Sequence, residues 1–236
     1  MRIGGLAKVS ALDFPGGVCA TIFTLGCNFR CPYCHNPDLV LPSSGSGPRL
    51  DEGGILTFLG TRTRYLDGVV ISGGEPTLQA DLEGFAGNLK AMGFRVKLDT
   101  NGSRPAVVGR ILALKLADYV ALDLKCDPGG FPPGLAAPGL APAAASEAVR
   151  ETLGLLKASV VPHEFRTTCY APFVDDRSIE AIARAAAGNA PLYLQPLRTG
   201  RVLDPSSLER HPAQPGPEDL ERFREIACRH LPCHIR

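Results

Sequence analysis

Residues 18–40 read VCATIFTLGCNFRCPYCHNPDLV. Val18 to Leu25 is an apolar run rich in β-branched residues and of strand length, closed by Gly26. Such a run reads as a buried strand. Cys27, Cys31 and Cys34 follow at once, spaced C-x3-C-x2-C, so a cysteine-bearing loop over 26–37 opens at the end of that strand. Chemistry at a strand's C-terminal end is the habit of α/β folds, whose functional groups gather on that side of the sheet.

Further strands are expected at Val69–Ser72, Phe94–Thr100, Tyr119–Lys125, Glu164–Tyr170 and Leu192–Leu197, with a short closing strand at Pro232–Arg236. Helical patterns lie between them. Leu78–Met92 carries Leu82, Phe85, Ala86 and Leu89 at helical spacing, with Gly93 at a C-cap position. Pro105–Leu116, Ser146–Ala158, Asp175–Ala187 and Pro217–His230 are similar. Alternating strands and helices predict an α/β fold with a mainly parallel sheet. About six units suit a partial (β/α)6 barrel better than a full eight-fold one of about 250 residues. Pro42–Pro48 reads as a flexible turn, and Asp127–Ala145, dense in Pro, Gly and Ala, as a long surface loop. With no internal repeat and no composition break, residues 1–236 are expected to form a single domain.

The 25 Lys and Arg against 24 acidic residues leave a net charge of +1. That balance argues against bulk attraction to nucleic acid or membranes. No stretch reaches the roughly 20 apolar residues of a spanning helix. MRIGGLAKVSALDFPGG lacks the apolar region of a secretory signal, so a cytoplasmic location is expected. In a reducing compartment, three of the eight cysteines crowded into 27–34 read as metal ligands before disulfides.

Soft thiolates select Fe–S clusters, zinc or Cu(I). Three cysteines on a four-iron cubane leave one iron free to bind a substrate or cofactor. A zinc site of Cys27, Cys31, Cys34 and His35 has the right ligand count, but adjacent Cys34 and His35 are awkward to bring onto one tetrahedral ion. The spacing favours Fe–S. Ser72-Gly73-Gly74-Glu75-Pro76 follows the second predicted strand. Taken alone, Gly-Gly-Glu is an ordinary strand-to-helix turn; after a cysteine triad, its glycines allow a ligand close to the backbone.

The pattern C-x3-C-x-Tyr33-C followed by Gly-Gly-Glu resembles the radical S-adenosylmethionine superfamily. The similarity is closer still over MRIGGLAKVSALDFPGG, FTLGCNFRCPYCHNPDLV, ISGGEPTLQ, LDTNG, ALDLK, EFRTT and LQPL. These resemble the anaerobic ribonucleoside-triphosphate reductase activating protein family, a family of glycyl-radical enzyme activases, and pyruvate formate-lyase activase more loosely. The likeness runs from Met1 to about Leu203 and implies a partial (β/α)6 barrel.

The resemblance also implies a [4Fe-4S] cluster on Cys27, Cys31 and Cys34, and S-adenosylmethionine as cofactor. Tyr33 and His35 would lie near that cofactor. Ser72, Gly73, Gly74 and Glu75 would form its methionine-binding turn, with the Gly74 backbone at the amino group. Asp99 and Thr100, with Asp123, match a site where related activases hold a monovalent cation, and Asn101 belongs to the same LDTNG stretch. Lys125 matches a cofactor-proximal lysine. Gln195 stands where some activases use histidine for the adenosyl group. Arg166 is expected either inside the barrel or as a surface charge, and Asp99 and Asp123 could instead cap helices.

The implied reaction takes one electron from a flavodoxin or ferredoxin, cleaves S-adenosylmethionine reductively, and abstracts hydrogen from a glycine Cα of a partner glycyl-radical enzyme. No side chain is needed as general acid or base, since the cofactors carry the chemistry. Cys19, Cys126 and Cys169 read as small buried hydrophobes. Cys228 and Cys233 are too few for a second cluster. Two other readings remain: a radical enzyme acting on a peptide or small molecule, and a non-catalytic zinc or Fe–S binding module.

Overall fold

The computed structural model describes residues 1–41, 50–198 and 200–236. The turn expected at Pro42–Pro48 falls outside the described residues. The chain opens with an antiparallel pair, β1 (Ile3–Ser10) and β2 (Cys19–Thr24), then a short α1 (Pro37–Val40) and α2 (Glu52–Gly60). Strand–helix units follow: β3 (Gly68–Gly73), α3 (Leu82–Ala91), β4 (Arg95–Thr100), α4 (Pro105–Ala113), β5 (Tyr119–Asp123) and α5 (Pro142–Ala158). The chain ends with β6 (His163–Cys169), α6 (Asp176–Ala186), β7 (Leu192–Pro196), α7 (Pro205–Arg210), α8 (Pro217–Ala227) and β8 (Cys233–Ile235).

Among the described residues the strands form one eight-stranded sheet in the order β1-β2-β3-β4-β5-β6-β7-β8. Every neighbouring pair from β2 to β8 is parallel. The order ends at β1 and β8 without a pairing between them, so the sheet is an open barrel. The expected α/β class and partial barrel are therefore what the chain adopts.

Strand alternation divides the side chains between two faces. Ile71, Val96, Leu98, Val120, Leu122, Phe165 and Leu194 join one buried core with Phe85 and Leu89 of α3, Ile111 of α4 and Ile179 of α6. On β4 the opposite face carries Lys97 and Asp99. In register, Asp99 pairs with Ala121, and Asp123 with Arg166. The inner face is thus charged, while the outer face is packed under helices. At the N-terminal end of the strands, Phe14 packs with Cys19 and Val70 and closes the barrel floor.

Several elements were not expected from the sequence. β1 is broken by register shifts between Ile3 and Gly5 and between Ala7 and Ser10. α2 contains Gly53 and Gly54, which lower helix propensity by about 1 kcal/mol each. Its start is fixed instead by Asp51, whose carboxylate accepts from Gly54 N at 2.7 Å. α5 begins at Pro142, so the expected 127–145 loop gives up its last residues to a helix. Nor is the remainder all surface, because Leu135 is wholly buried and Phe131 nearly so.

Candidate active site

The loop carrying Cys27, Cys31 and Cys34 leaves β2 through Gly26, whose φ of +93° is in glycine's range. Three backbone hydrogen bonds stitch it to its surroundings: Gly26 N donates to Leu39 O at 2.6 Å, Glu75 N to Gly26 O at 2.8 Å, and Gly74 N to Thr24 O at 2.9 Å. From the other side, Arg30 N donates to Leu135 O at 2.6 Å and Ala137 N to Asn28 O at 2.9 Å. Phe131 stands edge-on to Phe29 at 5.3 Å. The Pro/Gly/Ala-rich segment therefore clamps the cysteine loop, a role its composition conceals.

Together these elements enclose a cavity of about 210 Å³ at the C-terminal ends of β2–β5. All three loop cysteines face it, with Tyr33 and His35 beside them. Ser72, Gly73, Gly74 and Glu75 come from the end of β3, Asp99, Thr100 and Asn101 from β4, and Asp123 and Lys125 from β5. Fourteen of the sixteen expected site residues thus meet in one place; Arg166 and Gln195 do not line it. Arg166 stands directly behind, bonded to two residues that do. Gln195 is on β7 in register with Thr168, which does line the cavity. Phe29, Asn36, Val40 and Thr168 line it too and carried no sequence signal.

The donor set is soft, with Cys31 buried and Cys27 and Cys34 half-buried. The eight cysteines are free. Burial, and Glu75 after it, pushes the Cys27 thiol up to about 12, and burial pushes Cys31 up to about 11. These thiols therefore need a nearby positive charge to ionise, which an iron cluster provides. Among the described residues, no three His, Cys, Asp or Glu side chains are gathered to hold a single metal ion. One zinc needs every donor about 2.0–2.3 Å from one centre. In a cubane each thiolate meets a different iron, so the donors stand further apart.

Glu75 lines the cavity and is 1% exposed. Its carboxylate accepts from Thr77 N at 3.1 Å, Thr77 Oγ1 at 2.5 Å, Thr100 Oγ1 at 2.7 Å and Asn101 N at 2.7 Å. Burial nonetheless outweighs these bonds and raises its pKa. Glu75 is a strut joining the ends of β3 and β4. Asn101 is fixed at its other end: its Oδ1 accepts from Ser103 N at 3.0 Å, which sets the amide orientation. Its Nδ2 then donates to Asn28 Oδ1 at 3.1 Å and to Cys27 Sγ at 3.8 Å.

Gly73 and Gly74 have no room for a side chain. A Cβ on Gly73 would fall 2.2 Å from Thr24 N, and one on Gly74 2.2 Å from Gly26 O. The backbone at this turn is thereby pressed against the cysteine loop, with its cavity side bare. The Tyr33 hydroxyl is buried without a hydrogen-bond partner among the described residues, in a ring tilted at 49° against Tyr170 at 5.1 Å.

Comparison with known proteins locates a domain. Residues 21–129, just under half of the chain, match the Radical SAM superfamily model. A radical SAM domain is found over that stretch. A Methanocaldococcus jannaschii protein provisionally named as a glycyl-radical enzyme activating enzyme is 42% identical over 125 residues, covering 52% of this chain and 50% of that protein. The pyruvate formate-lyase-activating enzyme of Clostridium pasteurianum is 34% identical over 127 residues, 52% of each chain. The match thus spans about half the length of these curated relatives. A radical SAM methyltransferase from Sphaerobacter thermophilus superposes with a TM-score of 0.66 at 18% identity, over 94% of this chain and 67% of its own; this shows the shared fold. A radical SAM domain implies a [4Fe-4S] cluster and S-adenosylmethionine, and the buried thiol triad beside a bare glycine turn fits both.

Proposed function

We propose that this chain is a radical S-adenosylmethionine activase that places a glycyl radical on a partner enzyme, and that the partner is an anaerobic ribonucleoside-triphosphate reductase. One observation carries the reading: the triad Cys27, Cys31 and Cys34 and the Gly73–Gly74 turn face a single cavity. The activase assignment is supported by the names of the similar proteins. The reductase is supported by the sequence resemblance. A flavodoxin or ferredoxin is the proposed electron donor, and the cytoplasm the proposed location.

When bound, the cluster and S-adenosylmethionine supply a hydrogen-abstracting adenosyl radical. The chain's own residues bind and orient. Cys27, Cys31 and Cys34 hold the cluster and leave one iron open. Gly74 lets the turn press against the cysteine loop, where any side chain would intrude, and its bare cavity side would receive the methionine end of the cofactor. Lys125 lines the cavity and would supply positive charge for the cofactor's carboxylate, Asp123 pairs with Lys125, and Arg166 holds Asp123 from behind. Glu75 and Asn101 keep the cysteine loop and the β4 end in register. Tyr33 and the ring of Tyr170 behind it keep water from the buried side of the cluster.

The test is anaerobic. Reduced, reconstituted protein is mixed with S-adenosylmethionine and a candidate reductase, and a glycyl radical is sought by electron paramagnetic resonance. A doublet on the partner that is lost when its glycine is changed to alanine supports the assignment. Cofactor cleavage without any partner radical, across candidate glycyl-radical enzymes, would favour a different peptide or small-molecule substrate.

A further inference from the structure

Asp99 and Asp123, the carboxylates that the resemblance links to a monovalent cation, already have a protein cation at each oxygen, although Asp99 Oδ1 accepts no hydrogen bond among the described residues. Arg166 bridges them: its Nε donates to Asp123 Oδ1 at 2.7 Å and its Nη1 to Asp99 Oδ2 at 3.2 Å. Lys125 Nζ stands 3.0 Å from Asp123 Oδ2. Lys97 Nζ stands 3.1 Å from Asp99 Oδ1, an ion pair that lacks the alignment of a hydrogen bond. Asp99 Oδ2 also accepts from Ser72 Oγ at 3.1 Å. All four carboxylate oxygens therefore already face an ammonium or a guanidinium.

The charge count agrees. Two carboxylates, Asp99 and Asp123, meet three cations, Lys97, Lys125 and Arg166. Lys97 is shared with the buried Glu164, 3.9 Å away, and Glu164 also pairs with Arg236 at 3.5 Å, so three carboxylates meet four cations. The Arg166 and Asp99 side chains are each 13% exposed. A hard cation such as sodium or potassium takes an oxygen cage, and here it would enter a largely buried network whose carboxylates already pair with fixed positive charges. Like charges at such range are repelled most where water is scarce.

The geometry points to Arg166 as the built-in cation of this carboxylate pair: its guanidinium occupies the place of the monovalent ion, and the chain takes S-adenosylmethionine without one. This rests on the radical enzyme reading for its ligand. It does not rest on it for its ion chemistry. Asp99 and Asp123 act as positioning residues, held from behind the cavity wall by the fork-shaped guanidinium.

Two measurements test this on the full chain, each in potassium chloride, sodium chloride and choline chloride at equal ionic strength. The first is thermal unfolding without cofactor; the second is S-adenosylmethionine affinity of the cluster-reconstituted protein by equilibrium dialysis. Wild type is expected to melt at the same temperature in all three salts and to bind the cofactor with dissociation constants within about twofold, since no ion is linked to either process. Arg166→Ala is expected to bind weakly in choline and to recover about tenfold in potassium or sodium, the linkage expected once a small ion can enter the vacated pair. Arg166→Lys, which keeps the charge but cannot bridge both carboxylates, should fall between. A wild-type melting temperature raised by potassium or sodium over choline, or an affinity raised about tenfold, overturns the inference without any variant. If the cofactor binds in no salt, the radical enzyme reading has failed, and the unfolding series still decides the question of the ion.

Discussion

Replacing Gly74 by alanine adds one methyl group where the chain has no space. Its Cβ would sit 2.2 Å from Gly26 O, 2.7 Å from Gly26 C and 3.1 Å from Leu39 O, all backbone atoms. Real Cβ contacts are rarely closer than 3.0–3.4 Å, so the two loops must separate by about 1 Å. The hydrogen bond from Glu75 N to Gly26 O, 2.8 Å long, stretches with them, and Cys27 is the next residue. Overpacking of this kind costs about 2 kcal/mol, or a fall of about 4–8 °C in melting temperature for a chain of this size. The larger effect is on chemistry, because a misplacement of about 1 Å lowers rates about 100-fold. The assay is 5′-deoxyadenosine formed per cluster, with iron and sulfide measured for each sample. Gly84→Ala is the control, since a Cβ on that helical glycine meets nothing within 4 Å, and it should be stabilising by about 0.5–1 kcal/mol. Gly74→Ala that melts with wild type and cleaves the cofactor at an undiminished rate would refute the close-approach argument.

Two further outcomes follow from the same geometry. Burial alone would raise the Asp123 pKa, but Arg166 and Lys125 outweigh it and hold the carboxyl well below its ordinary 3.8. A depressed folded-state pKa gives stability that is present above 3.8 and lost as pH falls below it; Asp123→Asn should therefore flatten the acid limb of a plot of melting temperature against pH, and an unchanged limb would sink the assignment. Asn101 Nδ2, 3.8 Å from Cys27 Sγ, donates to a sulfur that would ligate the proposed cluster. Hydrogen bonds to such sulfurs raise reduction potentials by stabilising the reduced cluster, so Asn101→Ala should show a more negative midpoint in a redox titration followed by electron paramagnetic resonance, and a midpoint equal to or above wild type would exclude that role.

The site was legible because its motifs sit directly on strand ends. The apolar run before Gly26, VVIS before Gly73-Gly74-Glu75, and KL before Asp99-Thr100-Asn101 each announce a strand and then break into polar chemistry. Alternation along β6 places Arg166 inside the barrel with Glu164, while Phe165 between them is buried in the helix-covered core. What the sequence withheld depends on tertiary contact. Glu75 looks like a ligand by motif, and only the positions of Thr77, Thr100 and Asn101 reveal a strut. The clamp over the cysteine loop was hidden because Phe131 and Leu135 are scattered among prolines and glycines, with no period to mark them as buried. β1 escaped notice for a related reason: its burial pattern is irregular, and its pairing to β2 is broken by register shifts.

The central claim is that Cys27, Cys31 and Cys34 hold a cluster that works on S-adenosylmethionine. Its most direct test is an anaerobic reconstitution with iron and sulfide, reduction by dithionite, addition of the cofactor, and quantification of 5′-deoxyadenosine against the Cys27→Ala/Cys31→Ala/Cys34→Ala triple variant. Product is expected from wild type and none from the variant. Equal product from both, or zinc in place of iron in protein purified without oxygen, would contradict it.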